Sequence, residues 1–368
     1  MSDTGKESHF IDNTPEAIQD WISSNSSNAL VQGDSNSILK QFPENSVDCV
    51  MTSPPYWGVR DYEGGSELGL EDSYDEFIDN LLVIFGELQR VLKPEGSFWL
   101  NIGDTYNDKD LQGVPWRLAL ALKDRQDWIL RNDIIWNKVK GNPSSATDRM
   151  RVMHEYIFHF TQQRDYYYDD DAIREEEDFE LDFKENGDVV SPTGVSGTRY
   201  RRQIKNNENL SEDEKEAALS ELEDHLEKLK NREIKDFRMV IRDEQRTTHG
   251  DSEDLSGRAR ELAETGFYFL RYNANGPMPG NIWDVVPEDE HRDDSHCAVY
   301  PVELCEKPIK ATCPDDGIVL DPFAGTGTTV VAANKYQRRG IGIDTSREYL
   351  ETAASRLENG VQMTFDSI

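Results

Sequence analysis

Cysteine is scarce and poorly spaced for chemistry. The chain has 368 residues and four cysteines, Cys49, Cys297, Cys305 and Cys313, with no CxxC pair. The last three stand eight apart, and the gaps cross a predicted helix. Metal ligands must converge on one point, and this spacing does not supply that. Buried free thiols are the expectation. Long apolar runs are missing too: no segment approaches the roughly 20 residues of a membrane span. Residues 1–13 are polar and lack the apolar core of a secretory leader. A cytoplasmic protein without a membrane partner is expected. Positive charge is short, with Lys+Arg 40 against Asp+Glu 72 and a net charge of −32. That excludes an overall basic footprint for nucleic acid. It does not imply disorder, because hydrophobic residues are 36% and aromatics 10%. Lysine is scarcer than arginine, 16 against 24. A carboxylate-rich, lysine-poor surface over an ordinary core suggests a salt-loving host. There the Debye length is about 3 Å at 1 M salt, so self-repulsion is screened.

Apolar strands alternating with amphipathic helices are present instead. Residues 28–34 (NALVQGD) predict a strand ending in Gly-Asp, and 37–42 a helix. Residues 47–52 (VDCVMT) predict a strand that runs into Ser53. Residues 74–92 carry Phe77, Ile78, Leu81, Leu82, Phe85 and Leu88 at helical spacing, stopped by a turn at 93–96. Residues 97–102, 128–136 and 155–161 predict strands, and 115–123 a helix opened by proline. After an irregular stretch the rhythm resumes. A helix over 299–312, a strand over 317–320, a helix over 328–335 and a strand over 340–343 are expected. This pattern predicts an α/β fold with a doubly wound, mostly parallel sheet.

The irregular stretch reads as an inserted domain, 164–280. The remainder divides into an N-terminal extension, 1–27, a half at 28–163 and a half at 281–368. Within the insertion, 169–180 is mostly acidic, whereas 198–205 (TRYRRQIK) carries Arg199, Arg201, Arg202 and Lys205 and no acid. Residues 211–232 predict a long polar helix opened by a capping box, Ser211 with Glu214. Its stripe of Leu219, Leu222, Leu226 and Leu229 is expected to pack within its own domain.

Two segments carry the chemistry. Asp321-Pro322-Phe323-Ala324-Gly325-Thr326-Gly327 follows a strand and leads into a helix at Thr328. Glycine permits close approach of a ligand, and the carboxyl ends of strands are where open α/β sheets bind them. The next strand ends at Asp344, an acid suited to ribose hydroxyls. No Gly-Lys-Ser/Thr follows the glycines, so this is not a phosphate-binding P-loop. The second segment is Thr52-Ser53-Pro54-Pro55-Tyr56-Trp57. Its prolines remove two donors and leave rigid carbonyl acceptors. Ser53 adds a hydroxyl, and Tyr56 a face for stacking. Acceptors that grip an aromatic amine can localise its lone pair toward an electrophile, without a cationic acid or thiol.

Together these segments resemble the amino-methylating DNA methyltransferases, which methylate N4 of cytosine or N6 of adenine with S-adenosylmethionine. The resemblance extends to Val91-Leu92-Lys93-Pro94-Glu95-Gly96, Arg149 with His154-Glu155, Gly280-Asn281-Ile282-Trp283-Asp284, and 296–308. The base segment precedes the cofactor segment, as in the permuted β-type members, and the insertion falls where that group carries target recognition. The resemblance implies a Rossmann-like methyltransferase fold acting on double-stranded DNA after base flipping. It implies that Ser53, Pro54, Pro55 and Tyr56 form the catalytic motif. Asp321, Phe323, Gly325, Gly327 and Thr328 would hold the methionine side of the cofactor, Asp344 its ribose, and Asp34 its adenine amine. Trp57 either extends the base pocket or faces the core. Serine at position 53 is typical of N4-cytosine members, and N6-adenine methylation is the alternative.

Arg199, Arg201, Arg202 and Lys205 are the leading local candidates for DNA contact, followed by Arg258 with Arg260 and Arg149 with Arg151. A cognate restriction endonuclease is a partner the family suggests, though nothing in the chain resembles a nuclease. Methylation of RNA or protein is a weaker reading, opposed by the motif order and the long insertion. A non-catalytic DNA-binding module is opposed by intact Pro54, Pro55 and Asp321. The DNA target sequence and the oligomeric state are not legible.

Overall fold

Residues 47–52 are buried at every position, so their strand must lie inside a sheet covered on both faces. The computed structural model places it there. The structure describes residues 9–24, 26, 28–58, 68–140, 146–175, 179–184, 188–194, 196–243, 257–287 and 300–365. Cys297 lies outside them. Two compact units form: Met1–Ile173 with Gly280–Ile368, and Arg174–Pro279.

In the first unit the chain runs α1 (Pro15–Ser23), β1 (Asn28–Gln32), α2 (Ser35–Leu39), β2 (Val47–Thr52), α3 (Tyr74–Val91) and β3 (Leu92–Ile102). A small hairpin, β4 (Tyr106–Asn107) with β5 (Asp110–Leu111), precedes α4 (Val114–Gln126), β6 (Ile129–Asn137) and β7 (His154–Thr161). The second unit holds β8 (Asp182–Phe183), β9 (Val189–Val190), α5 (Gly197–Asn206), α6 (Glu212–Lys230), β10 (Ile234–Ile241), α7 (Arg258–Thr265) and β11 (Phe267–Asn273). The chain returns to the first unit with β12 (Ile282–Asp284), α8 (Val302–Thr312), β13 (Ile318–Asp321), α9 (Thr328–Lys335), β14 (Arg339–Asp344) and α10 (Arg347–Phe365).

The main sheet has eight strands in the order β1-β14-β13-β2-β3-β7-β6-β12. Only β7 runs against its neighbours, β3 and β6. The fold is the doubly wound, mostly parallel α/β sheet that the alternation of strands and helices predicts. Alternation along β2 and β3 feeds two cores. Val50, Phe98 and Leu100 join α3 and α4 on one face. Cys49, Met51 and Trp99 join α8 and α9 on the other. Truncating a fully buried anchor such as Leu81 would cost about 2–5 kcal/mol.

The turn expected at 93–96 lies inside a strand. The register jumps from Val47↔Leu92 to Cys49↔Ser97, so 93–96 bulge out of the ladder while β3 continues. In the second unit, Ser211 caps α6 with a complete capping box. Leu222, Leu226 and Leu229 pack into that unit's core with Phe237, Met239 and Ile241 of β10, and Leu219 packs at its margin. The stripe is therefore core, not a coiled-coil seam. Cys49, Cys305 and Cys313 are buried free thiols, and burial pushes the Cys49 thiol up to about 12.

Candidate active site

Four parallel strands, β1, β14, β13 and β2, lie side by side. Their carboxyl ends therefore share one edge, spread over about 14 Å at ordinary strand spacing. Asp34 follows β1, Asp344 ends β14, Asp321 ends β13 and Ser53 follows β2. Sequence distance is cancelled by strand order.

Asp321 is buried and saturated. Thr52 Oγ1 donates to its Oδ1 at 2.6 Å, and the Phe323 amide to the same oxygen at 3.0 Å. Its Oδ2 accepts from Thr329 Oγ1 at 2.7 Å and Tyr300 OH at 3.0 Å. Burial pushes this carboxyl above the ordinary carboxylate range, while those hydrogen bonds pull it back. Asp321 thus ties β2 to the 322–327 loop and shapes it. Thr52 and Thr329 lie in or beside the two segments and Tyr300 within 296–308, but their bonds to Asp321 are not legible there, because neighbours across strands leave no local pattern.

The loop is built for close approach. Gly325 sits at φ +51° and Gly327 at φ +79°, a backbone region that favours glycine. A Cβ on Gly327 would meet Ala353 Cβ at 2.5 Å, so that glycine is required by packing. A Cβ on Gly325 would meet nothing within 4 Å, so that side of the loop is open. Asp344 Oδ2 accepts from the Gly325 amide at 2.8 Å, and its Oδ1 from Ser346 N at 2.8 Å. The carboxylate is only partly buried. Asp34 is exposed and caps α2 through Ser37 N at 2.9 Å. Ser35 Oγ donates to Pro322 O, joining that segment to the loop. Thr328 opens α9 and its Oγ1 accepts from Arg356 at 3.0 Å.

The base segment holds a polar chain. Ser53 Oγ donates to Tyr56 OH at 3.3 Å, and Tyr56 OH donates to Glu155 Oε2 at 2.7 Å. Lys138 pairs with Glu155 Oε1. Asn101 Nδ2 lies 3.2 Å from Ser53 Oγ, 2.9 Å from Tyr56 OH and 3.0 Å from Glu155 Oε2. Its Oδ1 is buried without a hydrogen-bond partner among the described residues. A Cβ on Gly103 would strike Tyr56 Cε2 at 2.7 Å, so the ring lies directly on that backbone. Pro54 is buried, while Ser53 and Pro55 are partly open. Trp57 belongs to the main core, with Nε1 bonded to Glu71 O at 2.9 Å. It faces the core.

The family profile described as DNA methylase, of the N6/N4 type, matches residues 47–355. The chain belongs to the N6/N4 DNA methylase family. It is 31% identical to the type II methyltransferase M.SfiI of Streptomyces fimbriatus, over 88% of this chain and 89% of that one. It is 30% identical to the type II methyltransferase M.Cfr9I of Citrobacter freundii, over 89% and 87%. Among solved structures it shares its fold with PvuII DNA methyltransferase (cytosine-N4-specific). The TM-score is 0.54 at 18% identity, covering 92% of this chain and 91% of that one. The family's methyl donor is S-adenosyl-L-methionine. The open face at Gly325 and the carboxylate of Asp344 fit an elongated nucleoside carrying an amino-acid tail.

For a methylase of this family, the site brings Ser53, Asp321, Asp344 and Asp34 to one edge and adds Asn101, Glu155 and Lys138. Asn101 carried a weak signal, a polar residue ending an apolar strand. Glu155 was visible only as part of a motif without a role. The basic residues of α5 divide: Arg199 and Arg202 are exposed, as is Lys205, while Arg201 is clamped by Glu223 at 2.6 and 2.8 Å. No helix among the described residues is long and apolar enough to cross a membrane.

Proposed function

We propose that the chain methylates N4 of cytosine in duplex DNA, at a specific sequence, after flipping the base. The observation that carries this reading is the hydroxyl of Ser53. Its proton points to Tyr56, whose own proton points to Glu155, so a Ser53 lone pair remains for the target amine. Serine at this place is typical of N4-cytosine members, and the PvuII enzyme described as cytosine-N4-specific shares the fold.

The target amine donates its hydrogens to Ser53 Oγ and the Pro54 carbonyl, which aims its lone pair outward. Tyr56 stacks on the extruded base, whose unpairing costs a few kcal/mol. Asp344 takes the ribose hydroxyls, and Asp34 lies toward the adenine amine. Phe323, Gly325, Gly327 and Thr328 form the cradle that Asp321 holds in shape. S-adenosylmethionine, held by Asp344, Phe323, Gly325, Gly327 and Thr328, would supply an electrophilic methyl group, its carbon–sulfur electron pair staying on sulfur as the amine nitrogen takes the carbon. The surplus amine proton leaves to solvent past Ser53.

Target recognition is assigned to the insertion read as 164–280, and the two flanking segments to catalysis and cofactor. The reading includes a cytoplasmic location and leaves the chain either paired with a cognate restriction endonuclease or solitary. The acidic, lysine-poor composition is what supports reading the protein as adapted to high salt. Single-molecule sequencing of DNA from a host expressing the chain tests the base. Methyl groups on cytosine N4 support the reading, and methyl groups on adenine alone replace it with the N6 alternative. Calorimetric binding of S-adenosylmethionine separates both from a non-catalytic module.

A further inference from the structure

A cleft of about 860 Å³ lies wholly within the Arg174–Pro279 unit. Five cations line it: Arg174, Arg199, Lys235, Arg238 and Arg271. Among the described residues that line it, the one carboxylate, Asp236, is buried and turned to Thr193 Oγ1 and the Phe237 amide. The chain overall carries 40 basic and 72 acidic residues, so this is a reversal of sign at one place. Low-dielectric walls concentrate such a field.

The β10–β11 ladder explains the placement. Phe237, Met239 and Ile241 face the core against α5 and α6. Alternation then turns Arg238 outward, and Tyr272, opposite Asp236, stands 49% exposed. Among the described residues Arg199 and Arg238 have no acidic partner, and both are exposed. Arg271 differs. Its Nε donates to His225 Nε2 at 2.7 Å, while His225 Nδ1 bonds Glu221 O at 2.7 Å. His225 is stacked on Phe269 at 3.9 Å. The guanidinium is thus anchored by its inner nitrogen, which leaves its terminal nitrogens for a bidentate partner. Such a fork suits bidentate recognition of guanine O6 and N7.

We infer that this cleft is the surface that takes hold of duplex DNA, with Arg199 and Arg238 on backbone phosphates and Arg271 reading a base edge. The inference rests on the reading of the chain as a DNA methyltransferase. It separates residues that the sequence grouped together: Arg199 joins the cleft, whereas Arg201 is held away by Glu223 and Asp188. Phosphate contacts weaken as salt rises, whereas base contacts carry the sequence discrimination.

The test uses the full chain, a duplex carrying the sequence it methylates, and a scrambled duplex. Binding is followed by fluorescence anisotropy through a KCl titration. Arg199→Gln and Arg238→Gln should weaken both duplexes about equally and each flatten the log–log salt slope by about 1. Arg271→Ala should reduce discrimination between the duplexes about 10- to 100-fold, and Arg271→Lys nearly as much, since charge remains but the fork is lost. Lys228→Gln, which removes an equal charge on α6, is the control. Thermal melts followed by circular dichroism establish that each variant is folded as the unaltered chain is. If all three cleft positions behave like the control while the unaltered chain still discriminates, the inference is overturned. If the unaltered chain binds cofactor but methylates and discriminates no duplex, the functional reading fails instead.

Discussion

Glu155 accepts from Tyr56 OH at 2.7 Å and lies 3.0 Å from Asn101. Under the proposed function it is a positioning residue. Glu155→Gln should lower kcat about 10- to 100-fold, the scale of a small misplacement, while cofactor affinity stays near its original value. An equal loss in cofactor binding would show that the residue matters only for folding. His159 illustrates a different residue-scale effect. It is buried, stacked on Trp99 at 4.0 Å, and burial holds its imidazole down to about 3. The unfolded chain takes up this proton near pH 6.5, and the folded chain does not. The neutral form therefore favours folding above that pH. Stability should fall by about 1.4 kcal/mol per pH unit between about 6.5 and 3 from this group alone. His159→Phe should flatten that acid limb in thermal melts at several pH values, and an unchanged limb would refute the assignment.

At the scale of elements, the two loop glycines should separate stability from binding. Gly327→Ala drives a methyl against Ala353 at positive φ and should cost about 1–3 kcal/mol in thermal unfolding. Gly325→Ala meets open space and costs only about 1–2 kcal/mol of backbone strain. It should nevertheless weaken S-adenosylmethionine binding more than Gly327→Ala does, by calorimetry. The reverse order would mean that the open side of the loop does not face the cofactor. Helix α6 offers a calibration, since Ser211→Ala removes the capping box and should cost about 1 kcal/mol. Elements were legible where periodicity was strong. The helix expected over 74–92 is α3, Tyr74–Val91. The antiparallel β10–β11 pair is not legible because α7 separates its strands and β10 sets Lys235, Asp236 and Arg238 among its apolar residues. The bulge at 93–96 was read as a turn because Pro-Glu-Gly looks the same in either.

At the scale of the whole molecule, a net charge of −32 must be screened. Raising KCl from about 0.1 to about 2 M shortens the Debye length and should raise Tm and preserve activity. A chain equally folded and active in dilute buffer would remove the salt-adaptation reading. Residue composition, the two chemical motifs and their order are local properties of the chain. From them the α/β class and the methyltransferase family follow. Contact between distant residues is not local. Strand order alone seats Ser53 beside Asp321, brings β7 against β3 so that Glu155 reaches Tyr56, and buries Asp321 beyond direct reach. Local packing likewise sends Arg199 into a cationic cleft and Arg201 into an ion pair. A sequence names the groups that can do chemistry, but only the sheet decides which of them meet, because pairing between strands depends on burial and register across hundreds of residues.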